Sequence, residues 1–349
     1  MKINIIVPFK RLAGGIKVIF TYANDLVDKG HDVVVYMPMV SYRRVKGQNL
    51  FQWFKASVSN TIKPERWIEY KFRFIKVPLV RERFVRDADV TVATAWPTAY
   101  DVARLSDKKG KKAYFVQGYE IFSGETEVVD RSYRLGLHTM AITRQLAALL
   151  KEKFDVDATV VYNGLDEDEF IQGDKPAREE PSVMLLYHEE AYKGTKEALA
   201  IAQRLREKHP DLRVNVFGRR IGHELPPYAT ALENPAREAL MQMYRGSDIY
   251  LFTSTQEGWG LPILEAMANK CAVVGFRLGA MAEIADGENA CVVDIGDTDA
   301  VYAAACALLD DRARLAAMQQ RAYDTALQFT WGKSFHTFEQ YLLALCDGE

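Results

Sequence analysis

Short apolar runs recur along this chain, each followed by a helical pattern or a glycine-rich turn, and this recurrence restricts the available folds more than any other feature. In the first part INIIV (3–7), HDVVVY (31–36), VTVATA (90–95), KAYFVQ (112–117), HTMAIT (138–143) and ATVVYN (158–163) read as strands. In the second, SVMLLYH (182–188), LRVNVFG (212–218), DIYLFTS (248–254), CAVVGF (271–276) and ACVVDI (290–295) do the same. Runs that are apolar throughout, rather than alternating with polar residues, belong to parallel sheets covered by helices on both faces. The first helix is legible after Gly14-Gly15, with Ile16, Ile19, Phe20, Ala23, Leu26 and Val27 at helical spacing and Gly30 as its stop. LDEDEFIQGDKPAREEP, from Leu165 to Pro181, is acidic, carries two prolines and has no period. It reads as an interdomain linker over 166–181, between a first domain at 1–165 and a second at 182–329. The expected fold is α/β: two Rossmann-like, doubly wound parallel-sheet domains facing a cleft, where ligands gather beyond the carboxyl ends of the strands.

Composition removes several functional classes. The 349 residues are 48% hydrophobic, enough for a large core and for two domains. A formal charge of -2 gives no basic surface for general nucleic-acid binding. Cys271, Cys291, Cys306 and Cys346 form neither a CxxC pair nor a cluster with histidines, so no disulfide framework or zinc site is expected and a reducing cytoplasm fits. The opening MKINIIVPFK is too short an apolar run for a signal peptide, and no stretch approaches the roughly 18 apolar residues of a membrane span.

EGWGLPILEAMANKCAVV, residues 257–274, places Glu257 and Glu265 on either side of a glycine-containing turn. Leu261-Pro262 opens a helix with proline where no amide donor is needed, and Glu265 lies about one turn inside it. The glycines leave backbone amides unshielded, and the helix N-terminus supplies partial positive charge suited to a phosphate. Two acids beside an anion site are reconciled if they accept hydrogen bonds from hydroxyls, as of a ribose or a hexose. Phosphate cradle and diol acceptors together describe a nucleotide sugar.

These residues resemble the E-x7-E signature of the family 4 retaining glycosyltransferases, which have the two-Rossmann-domain architecture called GT-B. The similarity extends to GGIKVIFTYANDLVDKGHDVVVY (14–36), TMAITRQLAALLKEKFDVDATVVYNGLDEDEF (139–170), RLGAMAEIADGENACVVDIGDTDAV (277–301) and FTWGKSFHTFEQYLLAL (329–345). It implies that a C-terminal helix, 330–349, crosses back to the first domain. It also implies that Glu257 contacts a hydroxyl of the transferred sugar, that Gly258, Trp259, Gly260 and Leu261 meet sugar and diphosphate, and that Glu265 holds the ribose. Gly15 would offer its amide to the distal phosphate, and Lys193, in HEEAYKGTKEA, stands where the family has a lysine facing the diphosphate.

Two positions depart from the family pattern. Where the family usually carries an arginine about five residues before that lysine, this chain has His188 with Tyr187 beside it, and Arg219 in VFGRR is a candidate substitute. Where many relatives carry a histidine after the strand equivalent to KAYFVQ, this chain reads Gln117-Gly118-Tyr119-Glu120. Gln117, Tyr119 and Glu120 are therefore the acceptor-side candidates. The resemblance implies retaining transfer from a nucleoside diphosphate sugar to a hydroxyl of a saccharide or lipid-linked acceptor, with Lys193 and Glu257 as the catalytic pair and neither cofactor nor metal. DED at 166–168 falls in the expected linker rather than at a metal site.

Residues 41–86 interleave aromatic and cationic side chains, with only Glu65, Glu69 and Glu82 as acids. That pattern suits peripheral contact with an anionic membrane, at the inner face of the plasma membrane. It equally suits a buried aromatic core with a solvated basic face. Two further readings stay open: a nucleotide-sugar epimerase of similar architecture, and a non-catalytic partner that binds donor. A dehydrogenase is disfavoured, because FKRLAGGIKV lacks the GxGxxG fingerprint.

Overall fold

The computed structural model describes residues 1–9, 14–40, 42, 69–121, 124–176, 180–222 and 225–348. They divide into two units, Met1–Tyr162 with Ser334–Glu349 and Asn163–Lys333.

In the first unit the strands are β1 (Lys2–Ile6), β2 (Asp32–Pro38), β3 (Arg73–Val77), β4 (Val90–Ala93), β5 (Lys111–Val116), β6 (His138–Ala141) and β7 (Ala158–Val160). Their order is β3-β2-β1-β4-β5-β6-β7, all parallel. Ile3, Ile5 and Ile6 of β1, Val33 to Val35 of β2 and Val90 and Val92 of β4 are buried, as a sheet covered on both faces requires. The helix Gly14–Asp28 contributes Ile16, Ile19, Phe20, Ala23 and Leu26 to that core.

The second unit contains β8 (Ser182–Tyr187), β9 (Arg213–Gly218), β10 (Ala229–Glu233), β11 (Ile249–Phe252), β12 (Ala272–Phe276) and β13 (Cys291–Val293). Their order is β10-β9-β8-β11-β12-β13, again all parallel. Val183, Leu185, Val214, Val216, Ile249, Leu251, Ala272 and Val274 form the core with the helices Thr195–Lys208 and Thr298–Asp310. Register at the amino end is pinned by Asp248, whose Oδ2 accepts from the N–H and the hydroxyl of Ser182, both at 2.9 Å.

Both sheets reverse direction once, at β1/β4 and at β8/β11. The loops leaving those neighbouring strands run to opposite sides, which opens a crevice at the carboxyl edge. This places the sequence-derived site residues.

Three parts of the chain add to the sequence reading. The segment 166–181, read as a linker, lies in the second unit. Most of its described acids are exposed, but Glu169 is buried and pairs with Arg237, and the Ile171 N–H donates to Ala268 O at 3.0 Å. Strands β3, RFIKV, and β10, ATALE, were not legible as apolar runs, because charged and polar residues interrupt them and their burial is mixed. In the basic, aromatic stretch, residues 41 and 43–68 lie outside the described residues. In its described part Tyr70, Phe72 and Phe74 pack on Phe20 at ring-centroid distances of 5.3, 5.3 and 6.1 Å. Those three rings therefore belong to the protein's own packing, the core alternative of the sequence reading.

The final helix, Trp331–Asp347, is part of the first unit from Ser334 onward. Phe338 and Leu342 are buried, and Phe338 and Phe335 sit 4.6 and 5.4 Å from the ring of Tyr22. Each such side chain removed from water contributes roughly 1.5–3 kcal/mol. Glu339 Oε1 adds a hydrogen-bond contact to His31 Nε2 at 2.9 Å.

Candidate functional site

At the reversal point of the second sheet, the chain leaving β8 is stitched to the chain leaving β11. Thr255 N–H donates to Tyr192 O at 2.8 Å, and the Thr253 hydroxyl donates to Gly194 O at 2.7 Å. Gly194 has φ +70°, and a Cβ there would lie 2.1 Å from Thr253 O. Only glycine satisfies both the left-handed backbone and that close approach. Thr195, which opens the helix Thr195–Lys208, accepts from the His188 N–H at 2.9 Å through its hydroxyl. The loop 188–194 is thereby closed on itself and on its neighbour.

This stitching sets Lys193 against Glu257, Nζ to Oε2 at 2.5 Å, with side-chain exposures of 16% and 18%. Lys193 also lies 5.5 Å from the centre of the Tyr192 ring. Glu257 is shaped by two glycines: a Cβ on Gly260 or on Gly279 would come within 3.2 or 3.3 Å of its Cγ. Both have positive φ, +85° and +56°. Gly260 is the residue before the helix Leu261–Ala268; in its first turn the Ile263 N–H is spent on Gly260 O at 2.9 Å and Pro262 has none, so Leu261 supplies the amide of that turn. Pro262 sits in that first turn, where its missing N–H costs nothing. The Trp259 side chain is buried against Phe329 at 5.7 Å, so it acts in packing the turn, and its carbonyl accepts from Ala280 N–H at 2.7 Å.

His188 lies in the same loop. Its Nδ1 accepts from the Glu190 N–H at 3.1 Å, which leaves the proton of the neutral ring on Nε2 as an outward donor. Burial, reinforced by the nearby Lys193 charge, holds this imidazole below the ordinary histidine value. A neutral donor therefore stands where a fixed cation was expected. Arg219 is exposed and follows β9, the strand beside β8.

Glu265 is held differently from Glu257. It is 6% exposed; Oε1 accepts from Arg237 Nη1 at 2.7 Å and Oε2 from the Tyr244 hydroxyl at 3.0 Å. Arg237 also reaches Glu169 Oε1 at 2.5 Å. Asn269 Nδ2 donates to the carbonyls of Glu169 and Glu265, at 3.0 and 2.8 Å. Burial pushes the Glu169 carboxyl up, against the pull of Arg237.

The carboxyl edge of the first sheet forms its own cluster. Gly15 packs on Gln117, whose Oε1 would be 3.2 Å from a Cβ at that position. Glu120 Oε2 accepts from the Trp96 N–H at 2.8 Å, at the start of the helix Trp96–Ala103. Burial pushes its carboxyl up to about 7, opposed by the Trp96 N–H and the Tyr114 hydroxyl. Tyr119 is turned away to Asp130, donating to Oδ1 at 2.8 Å, with Lys153 4.9 Å from its ring centre.

Of the sequence candidates, the second unit thus joins Lys193, Glu257, Gly260 and the first turn at Leu261, with His188 in the same loop, while Glu265 belongs to a separate network. Gln117 and Glu120 lie at an edge of the first unit with Gly15. Sequence reasoning missed Arg237, Glu169 and Tyr244. One signal was available: an arginine opening a helix opposes the helix dipole, and such a position calls for acidic partners. Among the described residues no group of three or more His, Cys, Asp or Glu side chains is arranged to hold a metal ion. No helix among them is long and apolar enough to cross a membrane.

Comparison with known proteins agrees with this architecture. Residues 183–311 match the family model "Glycosyl transferases group 1". A D-inositol 3-phosphate glycosyltransferase of Corynebacterium kroppenstedtii is 29% identical over 243 residues, 60% of this chain and 53% of that protein. The chain spans about half the length of such relatives. Among solved structures, Anabaena HepE in complex with UDP superposes with a TM-score of 0.76 at 15% identity, covering 99% of this chain and 100% of that one. Sucrose-phosphate synthase from Thermosynechococcus elongatus gives 0.75 at 14% identity, covering all of both chains. At these identities the structural likeness establishes the fold, GT-B.

Proposed function

We propose that this chain, whose second unit matches the glycosyl transferases group 1 family, is a retaining glycosyltransferase moving a hexose from a nucleoside diphosphate sugar to a hydroxyl of a saccharide or lipid-linked saccharide. The observation that carries the proposal is the Lys193–Glu257 pair beside the open helix start at Leu261, at the reversal point of a Rossmann-like sheet. Family and relatives support sugar transfer, and the structural neighbour HepE was solved in complex with UDP.

In this reading the diphosphate takes Lys193 Nζ and the backbone amides of the turn from Gly258 to Leu261, and Glu257 turns to a hydroxyl of the transferred sugar. The bond from the anomeric carbon to the diphosphate oxygen breaks, leaving an oxocarbenium-like sugar and a leaving group with one more negative charge. Lysine and amides aimed at that charge stabilise the transition state more than the ground state. The acceptor oxygen bonds to the anomeric carbon on the face the diphosphate leaves, and its proton passes to a phosphate oxygen. His188 Nε2–H adds a neutral donor to the phosphates.

Positive charge in this scheme comes from the protein, so turnover without a metal is part of the proposal. Gln117 and Glu120 are proposed for the acceptor side, and the part of residues 41–86 that precedes Tyr70, by its basic and aromatic composition, for contact with an anionic membrane at the inner face of the plasma membrane. The test is transfer from UDP- and GDP-hexoses to simple saccharides in the presence of a chelator, with NMR of the product anomer. Retained configuration with unchanged rate in chelator supports the reading. An inverted product, or activity abolished by chelator and restored by a divalent ion, contradicts it.

A further inference from the structure

Arg237 is the first residue of the helix Arg237–Arg245, where the positive end of the helix dipole disfavours a cation. It is nonetheless placed there, and its guanidinium bridges two carboxylates from distant parts of the second unit: Glu169 Oε1 at 2.5 Å and Glu265 Oε1 at 2.7 Å. The Tyr244 hydroxyl, two turns further along the same helix face, donates to the other oxygen of Glu265 at 3.0 Å. From the far side Arg245 Nε donates to Asn269 Oδ1 at 3.0 Å, and Asn269 in turn holds the backbone of both glutamates.

A glutamate side chain has three rotatable bonds, and a free one would have to be ordered each time it bound a diol. Here one donor on each oxygen fixes the plane of the carboxylate. A carboxylate offers about four lone-pair positions, so each Glu265 oxygen keeps one for a ligand hydroxyl. Fixing a binding group in advance lowers the ordering cost of binding. Glu169 contributes the second negative charge that lets a cation sit at this helix start without being drawn off Glu265.

We infer that Arg237 is a positioning residue for nucleoside recognition, holding Glu265 so that its remaining lone pairs meet the vicinal hydroxyls of the donor's ribose. The inference rests on the donor reading above, in which Glu265 takes the ribose. Arg237 itself does not touch the donor.

The test is calorimetric binding of UDP, GDP and ADP to the full chain, followed by the 2′,3′-dideoxy counterpart of whichever binds. Wild type is expected to prefer the ribose form by about tenfold or more, the loss that follows when a site built for a hydroxyl is left unpaired. Arg237→Gln is expected to shrink that preference to less than about threefold, mainly by weakening the ribose form, and Arg237→Lys to restore part of it. Melting temperatures of all three proteins accompany the measurement, and Tyr244→Phe, a milder change at the other oxygen, covers the case in which Arg237→Gln does not fold. A merely structural arginine would weaken both nucleotides alike and leave their ratio unchanged, and that result overturns the inference. A wild type that binds UDP without preferring the ribose form removes the role of Glu265, and the inference with it, while leaving donor binding intact. Failure to bind any of the three nucleotides instead removes the donor reading itself.

Discussion

Lys193 Nζ and Glu257 Oε2 are 2.5 Å apart, so the cation assigned to the diphosphate and the acid assigned to the sugar are each other's partner in this structure. Donor binding in the proposed scheme is an exchange: Lys193 passes to phosphate and keeps a counter-charge, while Glu257 trades the ammonium for a neutral hydroxyl donor, so both partly buried groups stay hydrogen-bonded.

Lys193→Ala removes the lysine side chain aimed at the leaving group. The expected loss is about 2.7–4 kcal/mol of transition-state stabilisation, or roughly 10²–10³ in kcat, as for a single oxyanion donor elsewhere. Steady-state kinetics with the preferred donor measure it. A turnover rate equal to wild type would remove Lys193 from the chemistry.

Gly194→Ala tests how the lysine is held. An alanine at φ +70° costs on the order of 1–3 kcal/mol from its backbone alone. The 2.1 Å approach of its Cβ to Thr253 O forces the two loops apart as well. The expected result is a lowered melting temperature together with weakened donor binding, because the same contact positions Lys193. Unaltered stability would show that the loop accommodates the methyl group.

Glu120 makes the fold sensitive to pH. Its carboxyl is raised to about 7 in the folded chain from an ordinary 4.5. Between those values the unfolded chain has released a proton that the folded chain still holds, so this group's contribution to stability is full below about 4.5 and is lost as pH rises through about 7. Glu120→Gln is expected to flatten that part of the stability-versus-pH curve, giving the larger relative gain at about pH 8. Denaturant melts of both proteins across this range measure it. Parallel curves for variant and wild type would contradict the assignment.

The parallel sheets were legible because buried central strands such as Val33–Val35 and Val183–Leu185 are apolar on both faces. β3, RFIKV, and β10, ATALE, lack that signature because charged or polar residues interrupt them and they are only partly buried, whereas the edge strands β7 and β13 were legible. The Glu257 turn was legible for a different reason, since glycine and proline report backbone demands directly, and Gly260 does adopt positive φ. The segment 166–181 has the acidity and proline of a solvated linker, and most of its described acids are exposed. Its acid Glu169 instead answers an arginine that arrives 68 positions later in the chain. Pairings of that kind have no local pattern, and the network around Glu265 became visible only when the fold brought helices Arg237–Arg245 and Leu261–Ala268 together.

Whether the second unit grips a diphosphate at the Lys193–Glu257 pair is decided by a crystal structure of the full chain with UDP or GDP. Phosphate oxygens are expected within about 3 Å of Lys193 Nζ and of a first-turn amide at Leu261, with the Lys193–Glu257 contact broken or shared. Nucleotide bound away from the ends of β8 and β11, with Lys193 still paired only to Glu257, would contradict the proposed grip.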